Sequence, residues 1–185
     1  MKTIAMKSWR LLALLVSIVA VTACDDDDDD NPVDPDRMTA TEFVQEAAES
    51  DFFEIQSGQM AADNSTNTDV ADYGSMLVMD HTMSSSELMS IAQKNNVTIT
   101  TPTRQNLDDD EQERLTRLDN ASAEQFDLEF VNIQIEAHED AIELYQEAIQ
   151  ELENTELKAF AQSTLPILQE HLQEAQTLKT QLSTP

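Results

Sequence analysis

Glycine is nearly absent from this chain, with Gly58 and Gly74 the two in 185 residues. That scarcity excludes phosphate-binding loops, dinucleotide-binding turns and turn-rich β architectures, all of which need glycine at strained backbone positions. Proline stands at 32, 35, 102, 166 and 185, and only Pro166 falls inside a predicted element. Positive charge is equally thin: 10 Lys and Arg face 37 Asp and Glu, for a net charge of −27. Nucleic acid is excluded as a partner, because binding it relies on neutralising phosphates. Anionic membrane surfaces repel such a chain, whereas cations and basic partners stay open. The charge also fits a saline habitat, where repulsion is screened. The longest apolar run, Leu11 to Val21, falls well short of the roughly 20 residues that span a bilayer.

Cysteine occurs once, at Cys24, and its position is informative. Lys2, Lys7 and Arg10 precede the apolar run, and small residues follow it at Thr22 and Ala23. This is the pattern of a secretory leader with a charged start, a short apolar middle and a small-residue cleavage site. The Ala23-Cys24 boundary resembles the lipobox of bacterial lipoproteins, in which the cysteine is lipidated and becomes the first mature residue. The expected organisation is a removed signal peptide over 1–23, a lipidated Cys24 with an acidic disordered linker over 24–37, and one domain over 38–185. Loss of the leader removes three basic residues and no acid, taking the net charge from −27 to −30. The lipid must then do the anchoring, since two or more acyl chains make a stable anchor. An acylated Cys24 also leaves no thiol for disulfides or catalysis.

Asp25 to Asp30 form an unbroken run that repels itself and stays extended, and Pro32 and Pro35 stiffen the chain just beyond it. Acidic residues after a lipidated cysteine resemble the export signal of some surface lipoproteins. Asp at the second mature position resembles an inner-membrane retention signal in other bacteria. The expectation is a cell-envelope protein, on the outer membrane or cell surface rather than the inner membrane.

Four long helical patterns come after the linker. The first runs from about Thr39 to Asp63 behind a Thr39-x-x-Glu42 capping box, with Phe43, Ala47, Phe53, Ser57, Met60 and Ala61 on its apolar stripe. The second covers about Thr68 to Asn95, with Val70, Tyr73, Leu77, Leu88 and Ile91 on one stripe, and Asn95-Asn96 suits a left-handed cap. The third starts near Ser122, where Ser122-x-x-Gln125 reads as another capping box. The fourth runs from Asn154 to about Leu182. Leu157, Ala161, Thr164, Leu168, His171, Ala175, Leu178 and Leu182 form its seam at spacings of three and four. Pro166 lies on the flank of that seam and predicts a kink. Val97 to Leu107 is extended and long enough to cross the bundle, and Asp108 to Leu118 suits a short helix. The fold class is therefore all-α: a four-helix bundle with a longer connection between its second and third helices.

The three histidines, His81, His138 and His171, fall on three different predicted helices, on or beside the apolar stripe. Each lies about 14–16 residues into its helix, roughly 20–24 Å at 1.5 Å per residue, near mid-bundle whichever way the helix runs. Single inward histidines are usually hydrogen-bonded core residues. Three at one depth fit a metal site better, because neutral imidazole is a common ligand. Glu54, about 15 residues into the first helix, joins them as a candidate ligand. Asp80 and Asp127 are candidates for orienting a histidine ring from behind. Met76, Met79 and Met83 lie close in sequence on the second helix, and thioethers favour copper(I). Methionine as core filler is the commoner use.

Met79-Asp80-His81 with Glu87-Leu88, then Phe126-Asp127 and His138, then Leu165-Pro166-Ile167-Leu168-Gln169-Glu170-His171-Leu172 together resemble the bacterial family called domain of unknown function 4142. The resemblance covers about residue 40 to 182. It implies a ferritin-like four-helix bundle, often exported and often described as an outer-membrane protein, and no established activity. Ferritin-like di-iron sites use Glu-x-x-His on two helices. Here Ile135 and Leu168 stand three before His138 and His171, so this chain departs from that pattern. A mononuclear site for one transition metal (Zn, Cu or Fe) from Glu54, His81, His138 and His171 fits better.

The functional expectation is a membrane-anchored envelope protein without catalysis that binds a metal ion or a protein partner. The alternative is a metalloenzyme or metal-dependent stress protein using the same site. Oligomeric state is not readable from these residues. Palmitate labelling is expected to mark the full chain and to fail on Cys24→Ser; equal labelling of both forms would refute the anchor.

Overall fold

The computed structural model describes residues 37–184. The leader, Cys24 and the aspartate run lie outside the described residues. Among the described residues there are five helices and no strand: α1 Ala40–Asn64, α2 Thr68–Lys94, α3 Asp109–Asn120, α4 Ala123–Glu151 and α5 Thr155–Leu182. None is long and apolar enough to cross a membrane.

Local chemistry sets most of the boundaries. Thr39 and Glu42 form the reciprocal capping box that starts α1. Asn67, Asp108 and Asn154 accept backbone N–H bonds at the starts of α2, α3 and α5. Asn96, at φ 57°, supplies the left-handed residue that ends α2. The box expected at Ser122 is not made. The Ser122 hydroxyl faces the Gln125 side-chain oxygen at 3.2 Å, and no side-chain bond reaches the backbone at that end. Helix α5 continues through Pro166.

The helices form two antiparallel hairpins, α1–α2 and α4–α5, laid against each other. Helix α1 lies antiparallel beside α4: Ser65, just after α1, bonds Asp127 at the start of α4 at 2.6 Å, and Met38, just before α1, bonds Glu151 at its end at 2.8 Å. Arg37, at the expected end of the linker, is also held by the Glu151 carbonyl and the Glu153 carboxylate. Helix α2 lies antiparallel beside α5, with Lys94 paired to Glu156 and Asp80 to His171. Helices α2 and α4 therefore run the same way, so residues 95–122 must return along the bundle. They do so over α1 and α4. Thr100 exchanges two hydrogen bonds with Gln45 near the start of α1. Arg114 and Arg117 tie α3 to Asp140 and Glu129 on α4. Two antiparallel hairpins with one long crossover make the ferritin-like helical bundle.

The apolar core is split in two. One cluster is built around Phe53, Leu77, Phe126, Phe130, Ile133 and Leu178, the other around Phe43, Leu88, Tyr145, Leu157, Phe160 and Leu168. Along every long helix the buried side chains change from one cluster to the other near the middle. The residues at the change are polar: Asp51 and Glu54 on α1, His81 on α2, Gln134 and His138 on α4, and His171 on α5.

The two glycines hold α1 against α2. A Cβ at Gly58 would lie 2.7 Å from the Gly74 carbonyl oxygen, and one at Gly74 would lie 2.6 Å from the Gly58 carbonyl oxygen. The backbones touch there, and no side chain can move aside. Alanine raises helix propensity by about 1 kcal/mol, but overpacking a tight contact costs about 1–3 kcal/mol. Gly74→Ala is expected to give a net loss of on the order of 1 kcal/mol, read as a lower urea midpoint without a change in slope.

Candidate metal centre

His81, His138 and His171 enter the same polar layer from α2, α4 and α5. Their exposures are 3%, 1% and 3%. Ring centroids lie 5.4 Å apart for His81–His171 and His138–His171, and 5.8 Å for His81–His138. One ring nitrogen from each lies within 4.8 Å of the other two, the one such trio of candidate ligand groups among the described residues.

The second nitrogen of each ring is held from behind. His81 Nδ1 lies 2.8 Å from the Asp51 carboxylate. His138 Nδ1 lies 2.8 Å from the Gln134 carbonyl, which can only accept, so Nδ1 carries the proton. His171 Nε2 lies 3.1 Å from Asp80 Oδ2. These bonds fix tautomer and orientation as outer carboxylate and carbonyl partners do for metal-bound histidines. The remaining ring nitrogens, His81 Nε2, His138 Nε2 and His171 Nδ1, are buried and without a hydrogen-bond partner. A buried polar atom left unpaired costs about 1–3 kcal/mol. Three in one place fit a cation that all three lone pairs could share.

The electrostatics favour neutral, donor-ready rings at two positions. Burial, with the charges of His81 and His171, pushes His138 down to about 3. Burial and His81 also lower His171, against the opposing pull of Asp80. His81 differs: burial opposes its charging, but the bond to Asp51 and the charges of Glu54, Asp51 and Asp80 together raise it. Glu54 is pushed up to about 7, chiefly by burial.

The structure revises three expectations about this set. Glu54 is buried at mid-bundle, but its Oε1 is 3.6 Å from the Nδ1 side of His138, behind the ring, and it is not part of the converging trio. Asp127 orients no histidine. It lies three turns before His138 on α4 and accepts bonds from Ser65 and Thr66 at the end of the bundle. Met79 and Met83 are exposed, at 58% and 63%, because residues two from His81 point to the opposite side of the helix. Asp80 does meet His171. The sequence reading missed Asp51, whose signal was its place four after Ala47 and three before Glu54 on the buried face. It also missed Gln134, whose side chain donates to Ser57 at 2.9 Å.

A cavity of about 360 Å³ between α2 and α5 reaches His81 and His171 from the surface, past Asp80, Met83, Glu87 and Glu170. Tyr73 donates to the His171 carbonyl at 3.0 Å and fixes this stretch of α5.

A family model described as Domain of unknown function (DUF4142) matches residues 29–178. The chain belongs to that family. No curated protein matches the DUF4142 chain. Among solved structures it is similar to a DUF305 fragment from Deinococcus radiodurans, with a TM-score of 0.67 and 10% identity over 77% of this chain and 95% of that one. It is also similar to CopM, solved in a Cu(II)-bound form, with a TM-score of 0.62 and 14% identity over 78% and 98%. At these identities the likeness shows the helical bundle that the DUF4142 domain shares with both.

His138 gives this layer a pH dependence with a definite sign. The unfolded chain protonates His138 near its ordinary value of about 6.5, while the folded chain keeps it neutral to about 3. The folded state binds fewer protons in that window, so the contribution of His138 is full above 6.5 and is lost as pH falls toward 3. Glu54 acts oppositely: its contribution is full below its ordinary value of 4.5 and is lost as pH rises through about 7. Urea unfolding of metal-free His138→Gln beside the parent chain should show the parent losing on the order of 1–2 kcal/mol relative to the variant between about pH 6.5 and 4.5.

Proposed function

We propose that this domain binds one transition-metal ion through His81, His138 and His171. The observation that carries this reading is the convergence of three buried imidazoles, each with one ring nitrogen held by a hydrogen bond and the other buried without a partner. Imidazole suits zinc, copper and iron, and no thiolate is available among the described residues to shift the preference. The Cu(II)-bound form of CopM, on a similar bundle, supports copper among the three. Asp51, Gln134 and Asp80 orient the rings, and Glu54 supplies a buried carboxyl behind His138.

The biological setting we infer is the cell envelope. The protein is exported, anchored by lipid on Cys24 and held off the membrane by the acidic linker, on the outer membrane or cell surface. The leader, the Ala23-Cys24 boundary and the aspartate run support this setting.

A second reading, a metalloenzyme, is favoured by one feature. Three ligands leave a coordination position open, as in catalytic zinc sites, and the cavity between α2 and α5 gives a small molecule a path to His81 and His171.

Metal analysis of the full chain purified without a histidine tag is the test. After exposure to zinc, copper and iron in turn, one of them is expected near one per chain, raising the melting temperature, and both effects should vanish in His171→Ala. No bound metal and an unchanged melting temperature with all three would refute the site. Turnover by the loaded chain would then promote binder to enzyme.

A further inference from the structure

A second cleft lies on a different face of the bundle, between α1, α3 and α4, with a volume of about 380 Å³. Its polar lining is acidic: Glu46 and Glu49 on α1, and Asp108 and Glu111 at the start of α3. Its floor is apolar, with Phe53 and Leu144 among the lining side chains. Arg114 is the one cation lining it, and that guanidinium is engaged by Asp140 at 2.6 Å and by Glu136 at 3.9 Å. Asp108 spends one oxygen on the Glu111 backbone N–H, and Glu49 accepts from Gln45. Glu111 is different. It is 8% exposed, it lines the cleft, and its Oε2 is buried with no partner.

We propose that this cleft binds an aliphatic ammonium group, presented by a lysine side chain of a protein partner or by a free alkyl amine. A buried carboxyl oxygen without a partner leaves a position for a donor, and an ammonium offers three N–H donors with a charge that favours the ionised carboxylate. The apolar floor fits the methylene stem that carries such a head group. A bare metal ion fits less well. No three carboxylates here bring oxygens within 4.8 Å of one another, and the space is far larger than one ion. The charge balance agrees. Burial, with Asp108, Glu49 and Glu54 nearby, pushes Glu111 up to about 8, and burial with Glu147 raises Glu46. Arg114 offsets only part of this for Glu111, and a bound ammonium would add positive charge beside both carboxyls. No residue lining this cleft belongs to the histidine layer, so the site does not rest on the metal reading.

The test is NMR of the full chain with labelled alanine methyls, titrated with Nα-acetyl-lysine methylamide and, separately, with n-butylammonium. Salt at about 0.15 M suppresses loose association with the acidic surface. Saturable shifts are expected at Ala137 and Ala141, which line the cleft. Affinity should fall about tenfold in Glu111→Gln, a near-isosteric change that removes a charge-assisted partner. It should fall severalfold in the partly exposed Glu49→Gln and stay unchanged in Asp63→Asn, an exposed position at the other end of α1. Binding of the lysine derivative alone supports a protein partner, and binding of both amines supports a small-molecule ligand. No saturable shift at those methyls, affinity unchanged in both glutamate variants, or tighter binding of calcium ion at the same methyls would overturn the proposal.

Discussion

The bundle is organised around a polar layer that its core must tolerate. Three imidazoles, two carboxyls and an amide are buried at mid-height between two apolar clusters. An apolar interior penalises every polar atom left unpaired. Within this layer the outer ring nitrogens are satisfied and the inner ones are not. The proposed metal site rests on that asymmetry. Hydrogen bonding to Asp51, Gln134 and Asp80 determines which way each ring presents its lone pair.

Topology makes the layer. Each hairpin supplies part of the set: α1 and α2 carry Asp51, Glu54 and His81, while α4 and α5 carry Gln134, His138 and His171. Neither hairpin alone holds the trio. The hairpins meet with α1 on α4 and α2 on α5, and the direct contact of Gly58 with Gly74 sets how closely α1 and α2 approach. The return segment over α1 and α4 leaves the opposite side free, and there the cavity between α2 and α5 reaches His81 and His171. The same return segment brings the start of α3 against α1 and builds the acidic cleft. One crossover therefore shapes both candidate sites.

Helix number, helix limits and the seam of α5 were legible because they depend on local spacing and capping chemistry. Thr39 with Glu42, Asn96 and Asn154 act within one or two turns of chain, and the structure uses each of them. Ser122 shows the limit of such reading. Its hydroxyl meets a side-chain oxygen instead of the helix backbone, and motif spacing alone does not decide between the two. The approximate depth of the three histidines was also legible, since helical rise converts residue count into distance. The roles of the acids were not. A chain with 37 Asp and Glu offers too many candidates, and a carboxylate's role depends on which neighbouring helix turns toward it. Asp127 and Asp80 both precede a helix face that carries a histidine, yet one caps the end of the bundle and the other meets His171.

The sequence by itself determined the helices, their apolar faces, the strongly acidic charge balance and the placing of one histidine near the middle of each of three helices. Those properties come from residue type and spacing along a single chain. The tertiary structure alone decided that the three rings converge, which nitrogen of each is left free, that Glu54 stands behind His138, and that Asp51 is the partner of His81. Those properties depend on the rotation and height of one helix against another, which side chains far apart in sequence set together.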